Sequence, residues 1–571
     1  MTSGVSLLPL LRDLACVREN LATSMDEFIR LPQETREKLI ATLEATEPAT
    51  LSKEERGLLF QKIREALHWI NSYGEEDQRV HAPGLNKMLE KFAPTDVIER
   101  VGWLLANPWP KLPEGELREH EANDTRVKTA QTEAAREVLD KAPIDKILEF
   151  ASTIPYQWVF GHSLAIAVKD ENEGNTILDG ILAHIADIPI LVMGFASGRV
   201  EIVGSAWVDE QIRRLKEQGN YSVEGCAVLY FGLPEGSETW SAVGAHGKDV
   251  ETAYWKQASG HSRTGKKDDA PIAVEKLLDV KRPEVALTIA GSPQADIPST
   301  LLQRLLQEIL NMDEKKIRAG VMEEYYLGHV FNQLYQKNDL PLEEIARLEW
   351  PFAALFKDFK RYASSPMALH RALQKDPQFF SLLVGFIYKR DDHAPDPTRG
   401  RITQEMAENR ARIAYKVFDS WDLIPGLKDD GTLDEKELTD WIEAARKQCA
   451  ETKHVTGCDI QIGFMLAHAP TDSDGTWPHI AVRNVIERLN NETIDRHIQN
   501  EIYNSRGVTS RGLNDGGKQE RELAERYKKM SDALKVKWPR TSAMLRGIAK
   551  SYEDQAKYED VDSDLHDLRW D

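Results

Sequence analysis

The sequence predicts a mainly α-helical protein, with an irregular, solenoid-like helical-repeat N-terminal portion and a smaller helical C-terminal domain. Three observations predict it. Apolar residues recur at three- and four-residue spacing along most of the chain, which is the period of one helix face. No succession of alternating apolar and polar stretches joined by hairpin turns is found. Between Pro271 and Asn311 the stretches PIAVEKLLDV, PEVALTIA and IPSTLLQRLLQEIL follow one another across tight breaks, as helix hairpins do in repeat proteins. They keep no fixed period, so the repeats are irregular.

The elements follow in order. Ser52 and Glu55 make an S-x-x-E capping box, after which Leu59, Ile63, Leu67 and Ile70 share a face. CAVLYFGL, residues 226–233, has the composition of a strand, yet its length and helical neighbours fit a buried helix turn equally. After Pro298 come Leu301, Leu302, Leu305, Leu306, Ile309 and Leu310, a wide apolar stripe that Val330 and Leu334 continue. A helix is expected over Thr403–Asp419, with Met406, Ile413, Val417 and Trp421 near one face. The next is expected to open with a T-x-x-E box at Thr432 and Glu435, and to bury Leu438, Trp441, Ile442, Ala445 and Cys449. A helix from about Gln519 to Lys537 carries Leu523, Tyr527, Met530 and Leu534, and Pro539 opens the last, with Leu545, Ile548 and Tyr552. The acidic end, SYEDQAKYEDVDSDLHDLRWD, is expected to fray.

Polar, Pro- and Gly-containing linkers fall at 258–271, 389–401 and 424–432. They suggest a helical domain over 1–145, a central helical-repeat domain over 146–400, a helix and linker over 401–426, and a C-terminal helical domain with an acidic tail over 427–571.

The balance of 41% hydrophobic and 29% charged residues is that of a soluble globular chain. A formal net charge of −20 without any Lys/Arg-rich block argues against direct nucleic-acid binding and suits basic protein partners. Cys16, Cys226, Cys449 and Cys458 form no C-x-x-C pair and read as reduced and mostly buried. The first twenty residues lack the basic region of a signal peptide. The most apolar stretch, ILAHIADIPILVMGFASG, is broken by His184, Asp187 and Pro189 and is too short to span a bilayer. The expected compartment is the cytoplasm, with no membrane contact.

Candidate chemistry is thin. GLNDGGKQ, Gly512–Gln519, matches all but the last place of the phosphate-cradling pattern G-x-x-x-x-G-K-[ST]. Gln519 cannot place a hydroxyl on Mg²⁺, and no apolar strand precedes the loop, so a Gly-rich turn before a helix is the expected reading. Arg506, Arg511 and Lys518 remain as residues for an anion or a partner's carboxylate near the helix start. His393 with Asp391, Asp392 and Asp396 reads as a solvated acidic loop. KDDGTLDEKE puts Gly431 and Glu437 at the sixth and twelfth places of a calcium loop, but Gly426 and Lys428 at the first and third supply no carboxylate. Cys458 lies near His468 and His479 in sequence only. Trp421, Trp441, Trp477 and Trp538 read as packing anchors. Neither a cofactor nor a metal is expected, and no residue is assigned to catalysis.

The loop at 424–432 stands out. Pro425 and Gly426 break the chain, and Asp429, Asp430 and Gly431 keep it in water, between two capped helices. Such a loop is a favourable protease substrate. The stretch VFDSWDLIPGLKDDGTLDEKELTDW, residues 417–441, within a large helical N-terminal portion followed by a smaller C-terminal one, resembles the accessory protein of type III-E CRISPR loci that the caspase-like TPR-CHAT protease of the Craspase effector cuts. The resemblance implies a cut triggered by target RNA, at the bond between Leu427 and Lys428, and no catalytic role for this chain. It also implies an extracytoplasmic-function sigma factor and a second small accessory protein as partners, with cleavage altering the hold on the sigma factor and so transcription or cell growth. The cut would separate a pair of independently packed helical bodies. The alternative is a constitutive helical-repeat scaffold without regulated cleavage.

Overall fold

Ser52 accepts the Glu55 N–H on its hydroxyl at 3.1 Å while the Glu55 carboxylate accepts the Ser52 N–H at 2.7 Å. This reciprocal cap starts the helix Lys53–Tyr73 (α1), whose Leu59, Ile63, Leu67 and Ile70 are buried as their spacing predicts. The same logic recurs along the chain. In this computed structural model, which describes residues 21–262, 266, 268–312, 321–353, 367–395, 402–428, 430–507, 510 and 515–567, the protein is helical throughout, and the described residues form no strand. Cys16, Asp396, Asp429 and Arg511 lie outside them. The chain divides into two units, 1–272 and 273–571, with the boundary at the end of the linker 258–271.

In the first unit the helices Gln157–Ala167 (α2) and Pro189–Val203 (α3) touch backbone to backbone. A Cβ on Gly194 would sit 3.0 Å from the Trp158 Cα, and one on Gly198 would sit 2.7 Å from the Ala165 Cβ. Small residues one turn apart thus let the two axes close, and the part of the apolar stretch from Pro189 onward becomes a core helix, with a turn over 183–187 before it. CAVLYFGL resolves as the helix Val223–Leu229 followed by a single 3₁₀ turn, Tyr230–Gly232. Ser222 caps it by accepting the Gly225 N–H at 3.0 Å.

The boundary falls within the first of the three short helices expected from Pro271 onward, Asp269–Asp279, and Pro283–Ala290 and Ser299–Leu310 follow in the second unit. Leu342–Glu349 (α4), Ala368–Lys375 (α5), Pro377–Ile387 (α6) and Gln404–Asp419 (α7) lead to the turn, and Glu435–Glu451 (α8) and Val455–Ala467 (α9) leave it. Ile480–Leu489 (α10), Glu492–Asn504 (α11), Lys518–Leu534 (α12) and Pro539–Asp567 (α13) complete the unit. The acidic end does not fray over the described residues: it is helical to Asp567. Tyr552 and Ala556 are buried, and Asp560 accepts the Gly517 N–H at 2.8 Å. A charged helix of this length is held by one narrow apolar stripe plus a specific polar contact.

Candidate functional site: the turn at Leu427 and Lys428

The turn is built from backbone hydrogen bonds before any side chain acts. Leu427 N–H donates to the Ile424 carbonyl at 3.1 Å, and Asp434 N–H donates to the Gly426 carbonyl at 2.9 Å. Lys428 N–H donates to the Thr432 carbonyl at 2.9 Å, and Gly431 N–H returns to the Lys428 carbonyl at 3.0 Å. Leu427 and Leu433 face each other as a single antiparallel bridge. Gly426 has φ +80°, and a Cβ there would lie 2.7 Å from the Asp434 carbonyl, so only glycine closes the neck without strain. Gly431 has φ +83° in open space.

Side chains brace this frame. Gln374 of α5 donates from Nε2 to the Ile424 carbonyl at 2.8 Å and, at 3.4 Å, to that of Leu427. One turn earlier His370 Nε2 meets the Ser420 hydroxyl at 3.1 Å. Asp430 accepts the Thr432 N–H at 2.9 Å and its hydroxyl at 2.6 Å, and the hydroxyl contact leads in holding the carboxyl below the usual range. Lys428 Nζ lies 3.9 Å from Asp434.

Exposure therefore begins later than the sequence suggests. Ile424, Pro425 and Gly426 are buried, Leu427 is half-buried, and Lys428, Asp430, Gly431 and Thr432 form the exposed tip. The cap of α8 is also not Thr432. Asp434 accepts the Lys436 and Glu437 N–H groups at 3.0 and 3.1 Å, while the Thr432 hydroxyl serves Asp430 inside the turn. An aspartate adjoining the first helical residue wins over a threonine three places out.

The turn does not join separately packed bodies. Phe380 of α6 lies 4.9 Å, ring centroid to centroid, from Trp441 of α8 and 5.4 Å from Phe418 of α7. Trp421 and Trp441 are 6.1 Å apart. Further along, Cys449 Sγ donates to Ser381 Oγ at 3.3 Å, and Asp391 accepts the Val455 N–H at the start of α9 at 2.7 Å. Helices on both sides of the Leu427–Lys428 bond share one core, a tertiary fact that local spacing does not carry.

The other candidates resolve into structural roles. Gly517 caps α12, and the anion at its N–H is the chain's own Asp560, which Arg521 also pairs at 2.6 Å. Helix α11 stands upstream where a phosphate loop needs a strand, Arg506 is committed to the buried Glu520 at 2.5 Å, and 511–514 lie outside the described residues. In the His393 loop Asp391 caps α9 and Asp392 pairs Arg390 at 2.6 Å. Cys458 is buried and its thiol is pushed up by the neighbouring Cys449 and by burial. His479 Nδ1 accepts the Ala481 N–H and His468 faces Glu501 at 3.8 Å, so each ring has another partner. Trp421, Trp441 and Trp477 are buried, and Trp538 donates to Asn484 at 2.8 Å. Among the described residues no group of three or more His, Cys, Asp or Glu comes together to hold a metal, and no helix is long and apolar enough to cross a membrane.

Fold and turn together define a helical protein with a braced, solvent-facing turn inside its second unit. Comparison with known protein families, curated proteins and solved structures finds no match for this chain.

Proposed function

We propose that this chain is a non-enzymatic adaptor that acts by binding other proteins, and that the turn at Leu427 and Lys428 is where a protease regulates it. The exposed residues Lys428, Asp430, Gly431 and Thr432 carry this reading, because they make a basic-to-acidic surface turn between two helices. The resemblance to the type III-E CRISPR accessory protein supplies the finer identity: an RNA-activated caspase-like TPR-CHAT protease as the cutter, and a sigma factor and a second small accessory protein as partners. Since α6 shares its core with α8, cutting would slacken the turn and its grip on α5 while the fragments stay associated. Altered partner binding would follow from that slackening.

The test is to mix the full chain with the activated effector protease and target RNA. Two fragments meeting at 427–428 on a denaturing gel are expected, with none from a chain carrying Leu427→Ala and Lys428→Ala. An intact natural chain, under conditions that cut a control substrate, overturns the reading.

A second reading, a constitutive scaffold without cleavage, is favoured by one observation. Proteases take extended substrate, and here the Lys428 N–H and the Ile424 and Gly426 carbonyls are all engaged. The same gel separates the two.

A further inference from the structure

The thiols of Cys449 and Cys458 share a hydrogen bond across the junction of α8 and α9. Their placement follows from how α8 ends. The Cys449 carbonyl accepts the His454 N–H at 2.7 Å, and the Ala450 carbonyl accepts the Lys453 N–H at 3.2 Å. With Lys453 at φ +63°, this paired closure stops the helix and turns the chain at once. The His454 carbonyl then accepts the Cys458 N–H at 3.0 Å, which puts Cys458 in the first turn of α9. One turn before Cys449, Arg446 grips Asp459, Nε on Oδ1 at 2.8 Å and Nη2 on Oδ2 at 3.3 Å. Residues three apart share a helix face, so the side of α8 that carries Arg446 also brings Cys449 to α9.

Both thiols are buried, and Cys449 also meets Ser381 of α6, Sγ to Oγ at 3.3 Å. A thiolate at Cys449 therefore has two donors in place, the Cys458 S–H and the Ser381 O–H. The Cys458 hydrogen bond leads in holding the Cys449 thiol below its usual range, against burial. Cys458 moves the other way, because its bond to Cys449 and then burial push its thiol up. The pair thus divides into an attacking sulfur and a resolving one. Cys226 is the internal comparison: it is hydrogen-bonded to Tyr221, and burial pushes its thiol up.

We propose that Cys449 and Cys458 are an oxidisable dithiol, a modification site at which a peroxide closes a disulfide between α8 and α9. The Cys449 sulfur attacks one peroxide oxygen and the O–O bond breaks. The leaving hydroxide takes the thiol proton and departs as water, and Cys449 is left as a sulfenic acid. The Cys458 sulfur attacks that sulfur, the S–O bond breaks, and the second hydroxide leaves as water with the Cys458 proton. Two thiols and one peroxide become one disulfide and two waters. A sulfenic acid is neutral, so the first step removes the charge at Cys449 that opposes ionisation of Cys458. The exposed residues 451–453 join the helices, and local opening there admits a small oxidant. Drawing Cys449 toward Cys458 takes its sulfur from Ser381, so oxidation fastens α8 to α9 and loosens α8 from α6. The dithiol stands apart from any use of the turn at 427–428.

The test maps thiols in the full chain. Folded, reduced protein is treated with hydrogen peroxide, its remaining thiols are blocked under denaturing conditions, and it is digested with trypsin without reductant. Lys453 lies between the two cysteines, so trypsin parts them unless a disulfide joins them. The expected product is a joined pair of peptides carrying Cys449 and Cys458. It should be lighter by two hydrogens than the separate peptides together, be released by reductant, and form before Cys226 oxidises. A pair that forms only in urea, Cys226 joined as often, or both cysteines recovered as free thiols each overturn the proposal, and none of these needs a variant that folds. The order of attack is read with dimedone, which traps sulfenic acids. Cys458→Ser should accumulate the adduct at Cys449, and Cys449→Ser should give none at Cys458. The opposite pattern overturns the assignment of Cys449 as the attacking sulfur. Cutting at 427–428 is read on its own gel, so either reading can fail alone.

Discussion

Gln374 reaches the Ile424 carbonyl at 2.8 Å, and this one side-chain hydrogen bond ties α5 to the neck of the turn. The turn's own backbone bonds close its tip, the Asp434 N–H at the cap of α8 and the burial of Ile424, Pro425 and Gly426 hold its neck, and on the α5 side it is held by this amide and by His370 at Ser420. The mobility of the tip is therefore set in part from α5.

Replacing Gln374 by Ala should loosen the turn. A hydrogen bond of this kind contributes about 1 kcal/mol net, so the open population should rise roughly fivefold. Limited trypsin digestion at Lys428 reads this directly when opening is fast relative to cleavage. An unchanged rate of cutting would mean that the backbone bonds alone hold the turn.

Gly426→Ala and Gly431→Ala should differ, although both glycines have positive φ. Gly431 faces open space, so its substitution carries only the left-handed backbone cost of about 1–2 kcal/mol. Gly426 adds a clash with the Asp434 carbonyl, at the neck where the Asp434 N–H bonds the Gly426 carbonyl. Urea unfolding should show the larger loss for Gly426→Ala, and equal losses would show that the neck yields freely.

What the sequence makes legible is what is local. The Ser52 cap, the Thr403 cap of α7, which accepts the Met406 N–H at 3.2 Å, and the buried run Leu438, Trp441, Ile442, Ala445 and Cys449 are all set by residues within a turn or two of each other. The position of a turn after Pro425 is legible for the same reason. The pairing of Phe380 with Trp441 is not, because each residue alone only announces a buried face. The brace at Gln374 carries no spacing signal either, since glutamine on a helix is ordinarily solvated. The acidic end misleads because its charges dominate composition, whereas Tyr552, Ala556 and Asp560 hold it by position. The Thr432 box misleads because two acceptors, Thr432 and Asp434, compete for one helix start.

A chain cut between Leu427 and Lys428 should still run as one species. The aromatic cluster of Phe380, Phe418, Trp421 and Trp441 spans the cut, and removing one such ring costs about 3–5 kcal/mol. Size-exclusion chromatography of the nicked protein should give co-eluting fragments, and introducing Trp441→Ala should favour their separation. Fragments that come apart without denaturant in the natural chain would mean that this core does not hold across the nick.

Asp560→Ala should release α13 from the start of α12. The carboxylate accepts the Gly517 N–H and pairs Arg521, and Gly516, with φ +48°, lies against it. Hydrogen exchange should speed over 552–567 while α8 and α9 keep their protection. Calorimetry with phosphate or ATP and Mg²⁺ should show no binding to the natural chain, and an ATP signal that Lys518→Ala abolishes would restore a nucleotide role to the Gly-rich turn.

Glu349 gives the second unit a pH dependence whose sign follows from burial. The carboxyl is fully buried at the start of α5, where the Leu369 and Ala368 N–H groups donate to it at 2.8 and 3.1 Å. Burial outweighs these donors and the Arg371 charge, and pushes the group up to about 8 from 4.5. A raised acid binds its proton more tightly folded than unfolded. Its contribution is therefore fully present below about 4.5 and is lost as pH rises through about 8. Glu349→Gln keeps an acceptor but cannot titrate, so its urea midpoint should fall less steeply between these limits than that of the natural chain. Parallel pH profiles for the two proteins would show that the carboxyl stays ionised in the fold, with the two helix N–H donors prevailing over burial.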